Sequence, residues 1–202
     1  MKRILIGAAA VAALALGASG AQAANLVTNG SFETGDFTGW TNAGLQGVAT
    51  TGSYGEYPQQ GNYFATFGNV GGDGIISQVV SDTAGQTLTL SYYLMADGGT
   101  PSDFSAAWDG ATIAGSSLVN TPDQRGSGYV HYTFNVGATG SDTLKFAGRN
   151  DPTYWALDNV SLGVAGVPEP SEWALMILGI GLMGAALRIN GRVNKQLARL
   201  RA

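Results

Sequence analysis

Few residues in this chain are of the types that run a reaction. Between Ala24 and Val167 stand twelve Asp/Glu, three Lys/Arg (Arg125, Lys145 and Arg149) and one histidine, His131. There is no cysteine anywhere in the chain, which removes disulfides and thiolate metal ligands. Glycoside cleavage needs two facing carboxyl groups. Many of the acids instead precede glycine, as in Asp73-Gly74, Asp97-Gly98 and Asp109-Gly110, where turn chemistry accounts for them. His131 falls on the outward phase of its segment beside Tyr129 and Thr133, and no G-x-S-x-G elbow accompanies it. It reads as a surface histidine, and the chain reads as a non-enzyme.

Binding chemistry is easier to find. The loop Gly52-Ser-Tyr-Gly-Glu-Tyr-Pro58 holds Tyr54 and Tyr57 where core packing does not call for them, and Trp108 adjoins the Asp109-Gly110 turn. Together the three are candidates for an aromatic platform under sugar rings. Trp40 and Trp155 read as core residues. The same stretch, 24–167, nets −9 from its twelve acids and three bases, which argues against nucleic acid, since phosphate binding needs clustered cations.

These residues must be positioned by β-structure. The 202 residues are 45% apolar, only 12% charged and include 31 glycines, a mixture that suits short strands and tight turns. Gln86–Met95 alternates, with Leu88, Leu90, Tyr92 and Leu94 pointing one way; Tyr129–Val136 does the same with Val130, Tyr132, Phe134 and Val136. Phe104–Trp108 and Ala111–Ile113 flank Asp109-Gly110, a pair that tolerates the positive φ of a type I′ turn, so a tight hairpin is expected. Further strands are expected at Tyr63–Phe67, Ile75–Val80, Asp142–Ala147 and Trp155–Leu162. No amphipathic helix and no internal repeat intervenes. The expected fold is an all-β antiparallel sandwich, a jelly roll, over residues 24–162.

Both ends of that stretch carry a resemblance. Asn25-Leu-Val-Thr-Asn-Gly-Ser-Phe-Glu33 with Gly39-Trp40, and Ala156-Leu-Asp-Asn-Val-Ser-Leu162, resemble the opening and closing segments of galactose-binding-like jelly rolls and related carbohydrate-binding modules. The resemblance implies that first and last strands lie together. It also implies a structural calcium there, with Glu33 and Asp158 as ligands.

The ends of the chain read as addresses. Residues 1–23 form a signal peptide: Lys2 and Arg3, the apolar run Ile4–Leu16, and the cleavage site Ala21-Gln-Ala23. Residues 163–167 read as a linker. Then come Pro168, Glu169, Pro170, Trp173 and Ala174, an uncharged run forming a transmembrane helix over about 173–189, and a basic tail, 188–202, with Arg188, Arg192, Lys195, Arg199 and Arg201. The prolines keep the motif extended and open to an enzyme. Trp173–Leu187 reaches only roughly 22 Å as a helix, short of a ~30 Å hydrocarbon core. The basic tail keeps to the cytoplasm and puts the β-domain on the far side, as the signal peptide also requires.

Residues 168–202 resemble the PEP-CTERM sorting signal of Gram-negative bacteria in its P-E-P-x-x-W-A variant. The resemblance implies export through the inner membrane, recognition by an exosortase, and a periplasmic, cell-surface or extracellular β-domain. Such signals are sometimes classed as an ice-binding protein C-terminal domain, but no regular Thr-x-Thr array supports ice binding. The sequence thus predicts an envelope or matrix protein with a structural or adhesive β-sandwich in biofilm or exopolysaccharide. The alternative is a calcium-stabilised carbohydrate-binding module of the cell surface.

Overall fold

The computed structural model describes residues 24–44, 46–50 and 55–165. The signal peptide with its Ala21 and Ala23, residue Tyr54, the sorting motif, the expected transmembrane helix and the basic tail lie outside the described residues.

Eleven strands occur among the described residues: β1 (Thr41–Ala43), β2 (Gly47–Thr50), β3 (Tyr63–Phe67), β4 (Gly74–Ser81), β5 (Thr87–Ala96), β6 (Ser102–Trp108), β7 (Ala111–Thr112), β8 (Leu118–Val119), β9 (Val130–Gly137), β10 (Ser141–Asn150) and β11 (Trp155–Val164). They form two antiparallel sheets. One runs β1-β4-β10-β6-β7 with β8 also on β6; the other runs β2-β3-β11-β5-β9. Non-polar residues on alternate positions of each sheet fill the space between them. Phe104 and Phe146 of the first sheet meet Phe67, Tyr92 and Trp155 of the second, with ring centroids 5.4 Å apart for Phe67–Phe104, 5.1 Å for Tyr92–Phe146 and 5.6 Å for Phe104–Trp155.

The alternation on β5 is realised in full: Leu88, Leu90, Tyr92 and Leu94 are all at most 1% exposed. On β9 the phase holds but burial is weaker. Val130 is 37% exposed and Tyr132 and Phe134 are half-buried, because β9 is the edge of its sheet and lacks a neighbour on one side. The Asp109-Gly110 hairpin forms with both residues at positive φ, 48° and 80°, as a type I′ turn requires. Strand β3 matches its expected span, β5 and β9 are displaced by one residue, β7 ends one residue early at Thr112, and β4, β6, β10 and β11 extend by up to four residues. β11 continues to Val164, where Gly163 and Val164 pair with Thr89 and Leu88, two residues into the stretch read as linker. The short strands β1, β2 and β8 were not expected; each has four residues or fewer and no room for a legible alternation.

The N-terminal segment closes the fold onto the last strand. Leu26 N–H donates to the Leu162 carbonyl (2.8 Å) and Val160 N–H to the Gly30 carbonyl (2.8 Å). The Asn25 side chain imitates a strand residue, accepting from Leu162 N–H (2.9 Å) and donating to the Val160 carbonyl (3.2 Å). A Cβ on Gly30 would stand 2.0 Å from the Val160 oxygen, so only glycine lets the chain approach this closely. Gln78 ties the other side of the segment, accepting from Thr28 N–H and donating to the Thr28 and Gly39 carbonyls.

Candidate functional site

The five-stranded sheet has two faces. One is core. The other carries a smaller buried cluster, Ala49, Phe64, Met95 and Ala156 with Tyr129 against it, and beside that cluster the outward residues of β5, β9 and β11 are polar. There the chain forms a cleft of about 590 Å³. Its floor is Ser91 and Tyr93 of β5, His131 of β9 and Ser161 of β11; its walls are Gln59, Gln60 and Asn159 on one side and the Asn25–Ser31 segment on the other.

Register builds the floor. Tyr93 and His131 are direct cross-strand partners, as are Ser91 and Thr133. The Tyr93 and His131 rings stack with centroids 4.5 Å apart and planes 13° from parallel. Ser91 Oγ lies 2.6 Å from His131 Nε2, which fixes the imidazole by a hydrogen bond. The lining contains no Asp, Glu, Lys or Arg. It offers amides, hydroxyls, one imidazole and a paired aromatic surface. Such groups can bind hydroxyl-rich neutral molecules and cannot supply the two carboxyl groups of glycoside cleavage.

The wall is held by a buried acid. Pairing of β11 with β5 shifts register between Asp158 and Ser161, and Asn159 takes φ 48°, a conformation asparagine tolerates. The irregularity lets Asp158, fully buried on the outer face, accept from three backbone N–H groups: Gln59 (2.8 Å), Gln60 (3.2 Å) and Asn159 (2.7 Å). Burial pushes the Asp158 carboxyl up to about 6 against the pull of these donors, with Glu33 adding to the rise. Glu33 accepts from Asn62 N–H (2.8 Å) and Tyr63 N–H (2.9 Å). Glu33 and Asp158 thus come together on one segment, residues 59–63, and anchor it. Their arrangement does not fit calcium, which takes six to eight converging oxygens. Both Asp158 oxygens already accept N–H donors, and no group of three or more His, Cys, Asp or Glu gathers among the described residues.

The aromatic platform needs correction. Trp108 is only 8% exposed, packs in the core, and donates its indole N–H to the Gly137 carbonyl (2.8 Å). Tyr57 is 40% exposed, and its ring stands edge-on to Tyr129 at 6.1 Å. Gly137 and Tyr129 flank opposite ends of β9, so Trp108 and Tyr57 share no surface. The aromatic pair at the cleft is instead Tyr93 with His131, reached through strand pairing that the sequence does not spell out.

No protein-family profile and no curated protein matches the sequence. Solved structures do resemble the fold. A family 61 carbohydrate-binding module in complex with β-1,4-galactotriose aligns over 70% of this chain and 99% of its own, at 19% identity and a TM-score of 0.55. A xylan-binding domain of carbohydrate-binding family 22 aligns over 72% and 99%, at 18% identity and a TM-score of 0.51. The K1 cleaved adhesin domain of Lys-gingipain from Porphyromonas gingivalis aligns over 67% and 96%, at 13% identity and a TM-score of 0.51. The likeness establishes the jelly-roll sandwich.

Proposed function

We propose that the β-domain is a non-catalytic module that binds neutral oligosaccharide in the cleft on the outer face of the five-stranded sheet. One observation carries the reading: a stacked Tyr93–His131 pair forms part of the floor of a cleft whose other polar groups are amides and hydroxyls, with no charged carboxylate or cation in the lining. Sugar rings pack on aromatic surface while their hydroxyls exchange hydrogen bonds with such groups. Fold alone carries no function, but this sandwich is one on which a galactotriose-bound module and a xylan-binding domain are built. A glycan array probed with the full chain in detergent tests the reading. Binding to uncharged β-linked oligosaccharides supports it, and silence across the array overturns it, leaving a structural or adhesive role.

We further infer that the module is delivered as the terminal segments suggest: exported behind residues 1–23, halted at the inner membrane by the helix at about 173–189, and presented to an exosortase through Pro168-Glu169-Pro170. Its destination is the cell surface or an exopolysaccharide matrix. Replacing Pro168, Glu169 and Pro170 by alanine should leave uncleaved protein in the inner membrane; unchanged processing overturns the sorting reading.

A further inference from the structure

Three residues before Gln59, the chain buries an acid that the cleft does not use. Glu56 is 1% exposed, and its carboxyl oxygens find no well-formed hydrogen bond, only the pull of the residue's own backbone N–H. Its neighbour is the carboxyl of Asp97, 6% exposed and set just past the end of β5, where its backbone N–H donates to the Tyr154 carbonyl (3.0 Å). Arg125 pairs with the far side of Asp97 through its Nε and with exposed Asp123 at 2.8 Å. Tyr129 packs nearby, kept neutral by burial, and its hydroxyl donates to the Tyr57 carbonyl (2.8 Å). Arg125 also lies against Gly55, 3.3 Å from where a Cβ there would stand, so Glu56 and Asp97 are two buried carboxyls beside one guanidinium that Asp123 shares, and both cannot stay ionised at low cost. One proton resolves the conflict: a protonated Glu56 donates to ionised Asp97, which keeps Arg125. Burial and the facing Asp97 charge favour that state, pushing Glu56 up to about 7. A metal fits less well, because Arg125 already occupies Asp97 and no third ligand joins the pair among the described residues.

We propose that Glu56 and Asp97 share one proton and so latch residues 55–60 against the sheet, which makes the glycan cleft sensitive to alkaline pH. The segment it holds ends in Gln59 and Gln60, one wall of the cleft. When the shared proton leaves, two buried negative charges repel and the wall loses its upstream anchor, while Asp158 still holds Gln59 and Gln60 downstream. The consequence for ligand rests on the reading of the cleft as a glycan site; the latch itself does not.

Amide exchange in the full chain in detergent, corrected for the intrinsic effect of pH, tests the latch. Between about pH 5.5 and about pH 8.5, protection of the Glu56 and Tyr57 amides should fall about tenfold or more, with β5, β10 and the Asp158-held Gln59 and Gln60 amides unchanged. Glu56→Gln, whose amide donates to Asp97 without titrating, should hold the segment protected at both values. A fall of the same size in Glu56→Gln overturns the latch, and so does a loss of protection at the lower pH on adding EDTA. Should the variant not fold, a ¹³C titration of the Glu56 carboxyl in the unmodified chain decides: a midpoint near 7 supports the latch and one near 4.5 overturns it. β-1,4-Galactotriose and xylohexaose are titrated in parallel. If neither binds while the exchange still switches, the glycan reading fails and the latch stands. If one binds and its affinity and the exchange both ignore pH, the latch fails and the glycan reading stands.

Discussion

Tyr93 and His131 face each other across β5 and β9 with their rings 4.5 Å apart and 13° from parallel. Neither is buried for packing: both stand on the outer face, His131 exposed and Tyr93 half-buried. The pair is the aromatic part of the cleft floor, and removing either ring should cost ligand rather than fold. Tyr93→Ala is expected to weaken oligosaccharide binding about tenfold or more, by titration calorimetry. The loss of one cross-strand pair should lower stability by only about 1 kcal/mol.

Gly30 makes the opposite prediction. A methyl group there would sit 2.0 Å from the Val160 carbonyl oxygen, and backbone cannot yield as a side chain does. Gly30→Ala should cost about 2–4 kcal/mol and lower Tm by about 10 °C, because the N-terminal segment must peel from β11. A melt within about 2 °C of the unmodified chain would show that this contact does not clamp the fold.

Two buried acids, Asp158 and Glu56, are pushed well toward neutrality, and buried Asp97 is raised in the same direction. Asp158 is pushed up to about 6 and Glu56 to about 7, both from burial first. Each holds its proton to higher pH in the folded chain than in the unfolded one. The stability they contribute is therefore complete below about pH 4 and is lost as pH rises through about 6 and then about 7. Urea unfolding at about pH 5 and about pH 8 should show the chain less stable at the higher value by about 1–3 kcal/mol. Glu56→Gln should remove the upper part of that loss.

Chelation bears on the expected calcium. Since both Asp158 oxygens accept the N–H groups of residues 59, 60 and 159 and Glu33 Oε1 accepts those of residues 62 and 63, EDTA should move Tm by less than about 2 °C. A drop of about 10 °C would mean that these carboxylates turn to a cation instead.

Much of the fold was legible because period-two alternation is local: Leu88, Leu90, Tyr92 and Leu94 announce β5 without knowledge of their partners. The Asp109-Gly110 turn was legible for the same reason. The cleft was not, since it depends on non-local register. His131 read as an ordinary surface histidine because nothing in the chain says that β9 pairs with β5 in the register that sets it on Tyr93. Trp108 was ambiguous, since a place beside a turn suits either exposure or a cap on the core; the strand before the turn carries it into the core, where the Gly137 carbonyl accepts its indole N–H. Glu33 and Asp158 stood out in the sequence as candidate calcium ligands, whereas their backbone partners in the 59–63 segment lie in a loop with no periodicity to read. Gln59 and Gln60 were invisible for the same reason.

The most direct test is calorimetric titration of the full chain in detergent with β-1,4-galactotriose and xylohexaose, beside Tyr93→Ala. The cleft reading predicts saturable binding of at least one of them at about pH 6, weakened about tenfold by the substitution. Binding that Tyr93→Ala leaves unchanged would place the ligand elsewhere on the domain and contradict the account.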